Sequence, residues 1–188
     1  MKQNDVRIAV FIDGSNLYFK LRDLGIENTV KFNYRKFSEW LARDRALIYC
    51  GYYIGVVRTE PNNEKGQALR KEQQRLFAHL LSLDQKFIVK RGYLMKNDGV
   101  YHEKGVDVQL AVDILVGAYE DKYDIAIIIS SDTDLIPAIR KIKQLGKQVE
   151  YIGFAHRPSL ALRANVTISR LLIKDELEQF SNKKSSDT

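Results

Sequence analysis

A chain of 188 residues with 45% apolar side chains is long enough to bury a core of its own, and at roughly 150 residues per domain it makes one domain. Its 30 basic and 24 acidic side chains leave a formal charge of +6 and a pI near 9.3, which favours a polyanionic partner without requiring one. The single cysteine, Cys50, excludes an internal disulfide and an all-cysteine zinc site, and no apolar run reaches the roughly 20 residues of a membrane span, so a cytoplasmic protein with no membrane contact is expected.

Arg7-Ile8-Ala9-Val10-Phe11-Ile12 is mostly apolar and stops at Asp13-Gly14-Ser15-Asn16, the pattern of a strand buried on both faces that runs into a turn and the start of a helix. Tyr34, Phe37 and Leu41 recur at helical spacing behind an Asn33 cap, which predicts a helix over 33–43. Ala46–Val57, rich in Ile, Val and Tyr, reads as a strand, and 58–63 as a mobile polar loop. Leu69, Leu76, Phe77, Leu80 and Leu81 form the stripe of an amphipathic helix over 64–83. Phe87-Ile88-Val89 begins a third strand, and Asn97-Asp98-Gly99 reads as a hairpin turn joining Arg91–Lys96 to Val100–Glu103. Val106–Tyr119 is apolar at most positions, so a largely buried helix is expected there. Ile125–Ile129, unbroken and β-branched, reads as a central parallel strand ending at Ser130-Ser131-Asp132-Thr133-Asp134. A helix over 135–145 tolerates Pro137 in its first turn and stops at Gly146. Val149–Ile152 follows as a strand, Ser159–Arg163 as a short helix and Thr167–Ile173 as an edge strand. The domain is expected to fill 1–180, with 181–188 as a disordered polar tail. Strands alternating with helices argue for a three-layer α/β/α fold around a mostly parallel sheet, in which ligands bind beyond the carboxyl ends of the strands.

At that edge the sequence places Asp13 after the first strand, Asp132 and Asp134 after the central one, and Asp107 in the opening turn of the apolar helix. Each has a plain structural use: Asp134 as a helix cap, Asp107 as an acidic first-turn residue, Asp13-Gly14 as a turn. Together, four like charges at one mouth need either raised pKa values or a cation. Carboxylate oxygens without His or Cys are hard ligands that suit Mg²⁺ or Mn²⁺, which in turn suits phosphodiester hydrolysis. Ser15, Asn16 and Ser131 are placed to hydrogen-bond a phosphate or the ion's waters, and Lys104 to neutralise a phosphate oxygen. Tyr18 is the aromatic expected at the mouth, to stack on an unpaired base, with Phe19, Tyr52 and Tyr53 read as core. Arg70, Lys71 and Arg75, with Lys86, Lys90 and Arg91, can track a phosphate backbone or simply be solvated; Arg140, Lys141, Lys143 and Lys147 surround a helix end and read as structural. His79, His102 and Cys50 also read as structural. Asp113, six residues after Asp107, falls about 240° around the helix and is expected to support the site rather than to bind in it. There is no P-loop, G-x-G-x-x-G, H-E-x-x-H or G-x-S-x-G motif.

Three blocks, Phe11-Ile12-Asp13-Gly14-Ser15-Asn16-Leu17, Lys104-Gly105-Val106-Asp107-Val108 and Ser130-Ser131-Asp132-Thr133-Asp134-Leu135, resemble the signature of NYN domains, in the LabA-like (DUF88) branch of the PIN-like nuclease superfamily. The likeness spans 6–173. It implies a PIN-like (Rossmann-like) α/β/α fold and a metal-dependent endoribonuclease acting on single-stranded or unpaired RNA. Asp13, Asp107, Asp132 and Asp134 match the acidic positions for Mg²⁺ or Mn²⁺, and Asn16 the asparagine of the first block. The alternative is a non-catalytic module that docks RNA or a protein in the same acidic pocket. A phosphatase reading fails locally, because Asp13 is followed by Gly14-Ser15 where a second aspartate would be needed two residues on. The oligomeric state is open, a homodimer included.

Overall fold

The computed structural model describes residues 5–26, 28–97 and 100–181, with 93–97 and 100–104 described by backbone alone. The expected tail beyond Ser181, and the hairpin turn at Asp98-Gly99, lie outside the described residues. Seven strands form one sheet: β1 (Arg7–Asp13), β2 (Ala46–Gly55), β3 (Ile88–Asn97), β4 (Val100–Lys104), β5 (Ile125–Ile129), β6 (Gln148–Phe154) and β7 (Ile168–Leu172). Their order is β4-β3-β2-β1-β5-β6-β7, with six strands mutually parallel and only β4 reversed. The chain builds outward from β1 through β2 and β3, then returns to the other side of β1 with β5. The pair β1–β5 is therefore the topological switch point, where α/β sheets open a crevice at their carboxyl ends.

Two-residue periodicity divides each central strand between two cores. Ile8, Val10 and Ile12, with Ile125, Ile127 and Ile129, pack on the side that holds α1 (Gly14–Asp23), α2 (Tyr34–Ala42), α3 (Glu64–Leu80) and α7 (Lys174–Glu178). Ala9, Phe11, Ala126 and Ile128 face α4 (Val106–Tyr119), α5 (Ile136–Gln144) and α6 (Leu160–Asn165). These three layers are the expected architecture. Asp13, Asn33, Asn63 and Ser159 cap α1, α2, α3 and α6 through their side-chain oxygens. Pro137 sits in the first turn of α5, where no intrahelical bond is lost.

The third strand and its antiparallel partner are as expected: β3 is continuous, with 88–92 paired to β2 and 93–97 to β4. Lys90 and Arg91, which interrupt the apolar run, are accommodated there, Lys90 beside the Asp113 carboxylate at 3.4 Å and Arg91 over the Phe77 ring. One expectation is corrected: α4 buries a single stripe, Val106, Leu110, Ile114, Gly117 and Ala118, while Val108, Val112, Val116 and Tyr119 are exposed. A helix apolar on every side carries no sequence signal for which side is covered. Among the described residues no helix is long and apolar enough to cross a membrane.

Candidate active site

The end of β1 is shaped by close backbone approach. A Cβ on Gly14 would stand 2.3 Å from the Tyr52 ring and 2.9 Å from the Tyr53 carbonyl oxygen, directly across the β1–β2 ladder. Tyr52 is fully buried, so neither neighbour can yield cheaply. We expect Gly14→Ala to destabilise the fold by about 1–3 kcal/mol, the usual range for overpacking, and to displace the start of α1; thermal unfolding and cleavage assays check both.

The chain turns at Gly14 so that Asp13 caps α1, its Oδ1 accepting from the Asn16 N–H at 3.0 Å. Its Oδ2 accepts from the Ser130 hydroxyl at 2.8 Å, and Ser130 Oγ accepts from the Asp132 N–H at 3.0 Å. One buried hydroxyl thus ties the end of β1 to the loop after β5. Asp132 in turn accepts from the Asp134 N–H at 2.9 Å and caps the 3₁₀ turn Thr133–Leu135 that leads into α5. The capping role expected of Asp134 therefore belongs to Asp132. Ser131 Oγ donates to Asn16 Oδ1 at 3.1 Å and closes a second link between the same two segments.

These groups surround an open cavity of about 530 Å³ whose wall includes Asp13, Ser15, Asn16, Asp107, Ser131 and Asp132. Three of the four expected aspartates face it. Asp134 stands outside the wall, exposed, near enough to Asp107 for its charge to be felt there. Asp113 is elsewhere: its carboxylate accepts from Tyr53 Oη at 2.8 Å and Gln109 Nε2 at 2.7 Å, on the sheet side of α4. Tyr18 does not line the acidic cavity; the aromatic that does is its neighbour Phe19, 62% exposed. Tyr52 and Tyr53 are core, as expected. Lys104 precedes Gly105, a residue of the cavity wall, but its side chain lies outside those described, as does that of His102.

Ser130 escapes sequence reasoning, and Phe19, expected in the core, stands exposed in the cavity wall instead. A hydroxyl at the last buried position of a central strand was the available signal for Ser130. For Phe19 it was the three-residue step from Asn16, which puts both on one face of α1. The structural readings of the other polar residues hold: Cys50 is buried, its thiol pushed up to about 11 by burial; His79 Nε2 lies 2.9 Å from the Phe32 carbonyl oxygen; Arg140 and Lys143 bond Asn165; Lys147 pairs with Asp121.

Burial raises the Asp13 pKa above its ordinary value against the pull of the Asn16 and Ser130 hydrogen bonds, and the charges of Asp107 and Asp132 raise it further. Asp107 is raised by partial burial, then by Asp132 and Asp134. The carboxylates therefore repel one another in the fold, the condition a bound cation relieves. Among the described residues no three His, Cys, Asp or Glu side chains are gathered tightly enough to cage an ion unaided. An all-oxygen set that supplies one or two direct carboxylates and leaves room for water fits a hydrated hard cation such as Mg²⁺.

The NYN domain family model matches residues 7–171. The chain belongs to the NYN domain family. NYN domains fall within the PIN-like nuclease superfamily, whose nucleases generally use divalent metals and act on RNA. The NYN domain described here is also similar in fold to the crystal structure of a protein of unknown function, VPA0982, from Vibrio parahaemolyticus RIMD 2210633, with a TM-score of 0.67 and 21% identity over 93% of this chain and 98% of that one. No curated protein matches the chain. The three blocks that carry the family resemblance are the segments that meet at the β1–β5 crevice.

Proposed function

We propose that this NYN domain, of the LabA-like branch, is a single-domain endoribonuclease that hydrolyses phosphodiester bonds of unpaired RNA with Mg²⁺ or Mn²⁺ held by Asp13, Asp107 and Asp132. The observation that carries this reading is the convergence of three carboxylates from three segments on one solvent-open cavity at the switch point, two of them with raised pKa values. When bound, the ion would supply an activated water and neutralise charge on the scissile phosphate. The chain's own groups do the remainder. Asp134 adds negative charge behind Asp107, which strengthens cation binding. The N-terminus of α1 presents backbone N–H groups to a phosphate, and Ser15 with the bonded pair Asn16 and Ser131 fixes its orientation. Lys104, beside the cavity wall, is the cation assigned to a phosphate oxygen.

The test is incubation of end-labelled single-stranded RNA with the protein in Mn²⁺ or in EDTA, beside Asp132→Asn. Cleavage that needs metal and disappears in the variant supports the nuclease. Cleavage indifferent to EDTA would sink the metal mechanism, and RNA retained intact by both proteins would point to a binding module. Mn²⁺ at a hundredfold excess over its Kd should also stabilise the fold by about 2.7 kcal/mol, read as a rise in melting temperature.

A further inference from the structure

Beside the acidic cavity lies a second, mostly apolar one of about 170 Å³, set between α1 and α3 beyond the end of β2. Ser15 and Phe19 belong to both walls, so the two cavities are adjacent. Tyr18 and Phe19 present their rings from α1, packed edge to face with centroids 5.4 Å apart. Leu69 and Leu76 come from α3, and Leu69 is 45% exposed. The Gln73 amide in the same wall is engaged by the backbone, donating to the Gly55 carbonyl at 2.6 Å and accepting from the Val57 N–H at 2.8 Å. On its far side the apolar pocket shares Val30 and Glu72 with a third depression that carries Lys31, Lys71 and Arg75. None of those three cations forms an ion pair among the described residues, whereas Lys90, Lys122 and Lys147 do.

The sequence of surfaces is therefore carboxylates, then an apolar slot with an exposed aromatic, then cations that form no ion pair among the described residues. We propose that this is a track for one unpaired RNA strand, in which the nucleotide next to the scissile phosphate places its base in the slot against Phe19 and the phosphate beyond it meets Lys31, Lys71 and Arg75. The chemistry fits one occupant. A base has an apolar face for Phe19 and Leu69, and a strand repeats phosphates that a slot alone would not attract. A paired duplex is excluded, because its bases are stacked away from such a slot. The proposal rests on the nuclease reading for the position of the scissile bond, but the binding it describes needs no cleavage.

The experiment measures anisotropy of a short fluorescein-labelled unpaired RNA with the metal-free protein in EDTA, so that affinity is read without reaction. Phe19→Ala is expected to weaken binding by about 5- to 100-fold, the loss of one base–aromatic stack, while Phe19→Trp retains it. Lys71→Ala with Arg75→Ala should flatten the dependence of log K on log salt by about 1.4, since each single-strand phosphate contact contributes about 0.7. Phe19→Ala bound as tightly as wild type while melting at the wild-type temperature overturns the proposal, as does an unchanged salt slope or an absence of wild-type binding. A parallel Mn²⁺ cleavage assay separates the two readings. RNA cut at an unchanged rate by Phe19→Ala leaves the nuclease standing and removes the slot; Phe19-dependent binding without cleavage keeps the slot and removes the nuclease.

Discussion

Asp13→Asn is expected to lower cleavage by on the order of 10²-fold or more and, in the absence of metal, to raise the melting temperature. The two effects share a cause. Asp13 is only 7% exposed, and both burial and the neighbouring Asp107 and Asp132 disfavour its ionised form. A folded-state pKa above the unfolded value means that the folded protein holds its proton more strongly, so stability is fully present below the ordinary carboxylate range and falls as pH rises through the raised value. At neutral pH the metal-free wild type carries that penalty, and a neutral amide does not. Asparagine can still cap α1 by accepting from the Asn16 N–H, and its amide nitrogen can donate to the Ser130 oxygen, so the local fold is retained. For a chain of this length about 1 kcal/mol moves the midpoint by about 2–4 °C, which a thermal scan at several pH values resolves. Mn²⁺ should stabilise wild type and do little for the variant. A variant less stable than metal-free wild type at neutral pH would show that the hydrogen bonds to Asp13 outweigh the repulsion.

The largest expected loss of stability, about 3–5 kcal/mol or roughly 10 °C in melting temperature, comes from Arg45→Ala. Glu150 lies on β6 with its side chain 4% exposed, between β5 and β7, and Arg45 is its partner, through Nη1 and through Nη2 at 3.2 Å. The same guanidinium donates to the Ala42 and Leu41 carbonyl oxygens, so it also satisfies the C-terminal end of α2, where a cation suits the helix dipole. Removing it leaves a buried carboxylate without its ion-pair partner and takes one hydrogen bond from each of two carbonyls, which keep the Arg45 backbone N–H and the Arg170 guanidinium respectively. The pair itself carries less than its rupture suggests. Replacing Arg45 and Glu150 together with methionine should recover much of the loss, and equilibrium denaturation of the single and double variants gives the coupling directly. A single variant within about 1 kcal/mol of wild type would mean that water reaches Glu150.

The strands and the acidic positions were legible because each depends on a local signal. β1 and β5 are apolar runs cut off by polar turns, and Asp13 and Asp132 stand at those cuts. What the sequence concealed depended on packing. The beginning of α1 was marked by its cap, but Leu17 and Leu21 are its only two fully buried side chains beyond Gly14, too few to set a period or an end. Whether Tyr18 or Phe19 faces the mouth turns on one residue of helical rotation, about 100°, for which the three-residue step from Asn16 to Phe19 is the sole cue and the sparse apolar pattern gives none. Nor could periodicity show that Val108, Val112, Val116 and Tyr119 would stay uncovered on α4, or that Asp113 would be engaged by Tyr53. Asp134 lies inside the 3₁₀ turn that Asp132 caps, a local arrangement that the sequence did not distinguish from an α-helical start.

The Ser130 link between Asp13 and Asp132 spans 117 residues of chain. During synthesis, β1 to β4 can assemble with one side of β1 unpaired, yet the acidic cavity cannot close until β5 has emerged and inserted beside it. Parallel pairing between strands this far apart in the chain forms more slowly than local contacts do. The full set of carboxylates is thus assembled only when most of the sheet is complete.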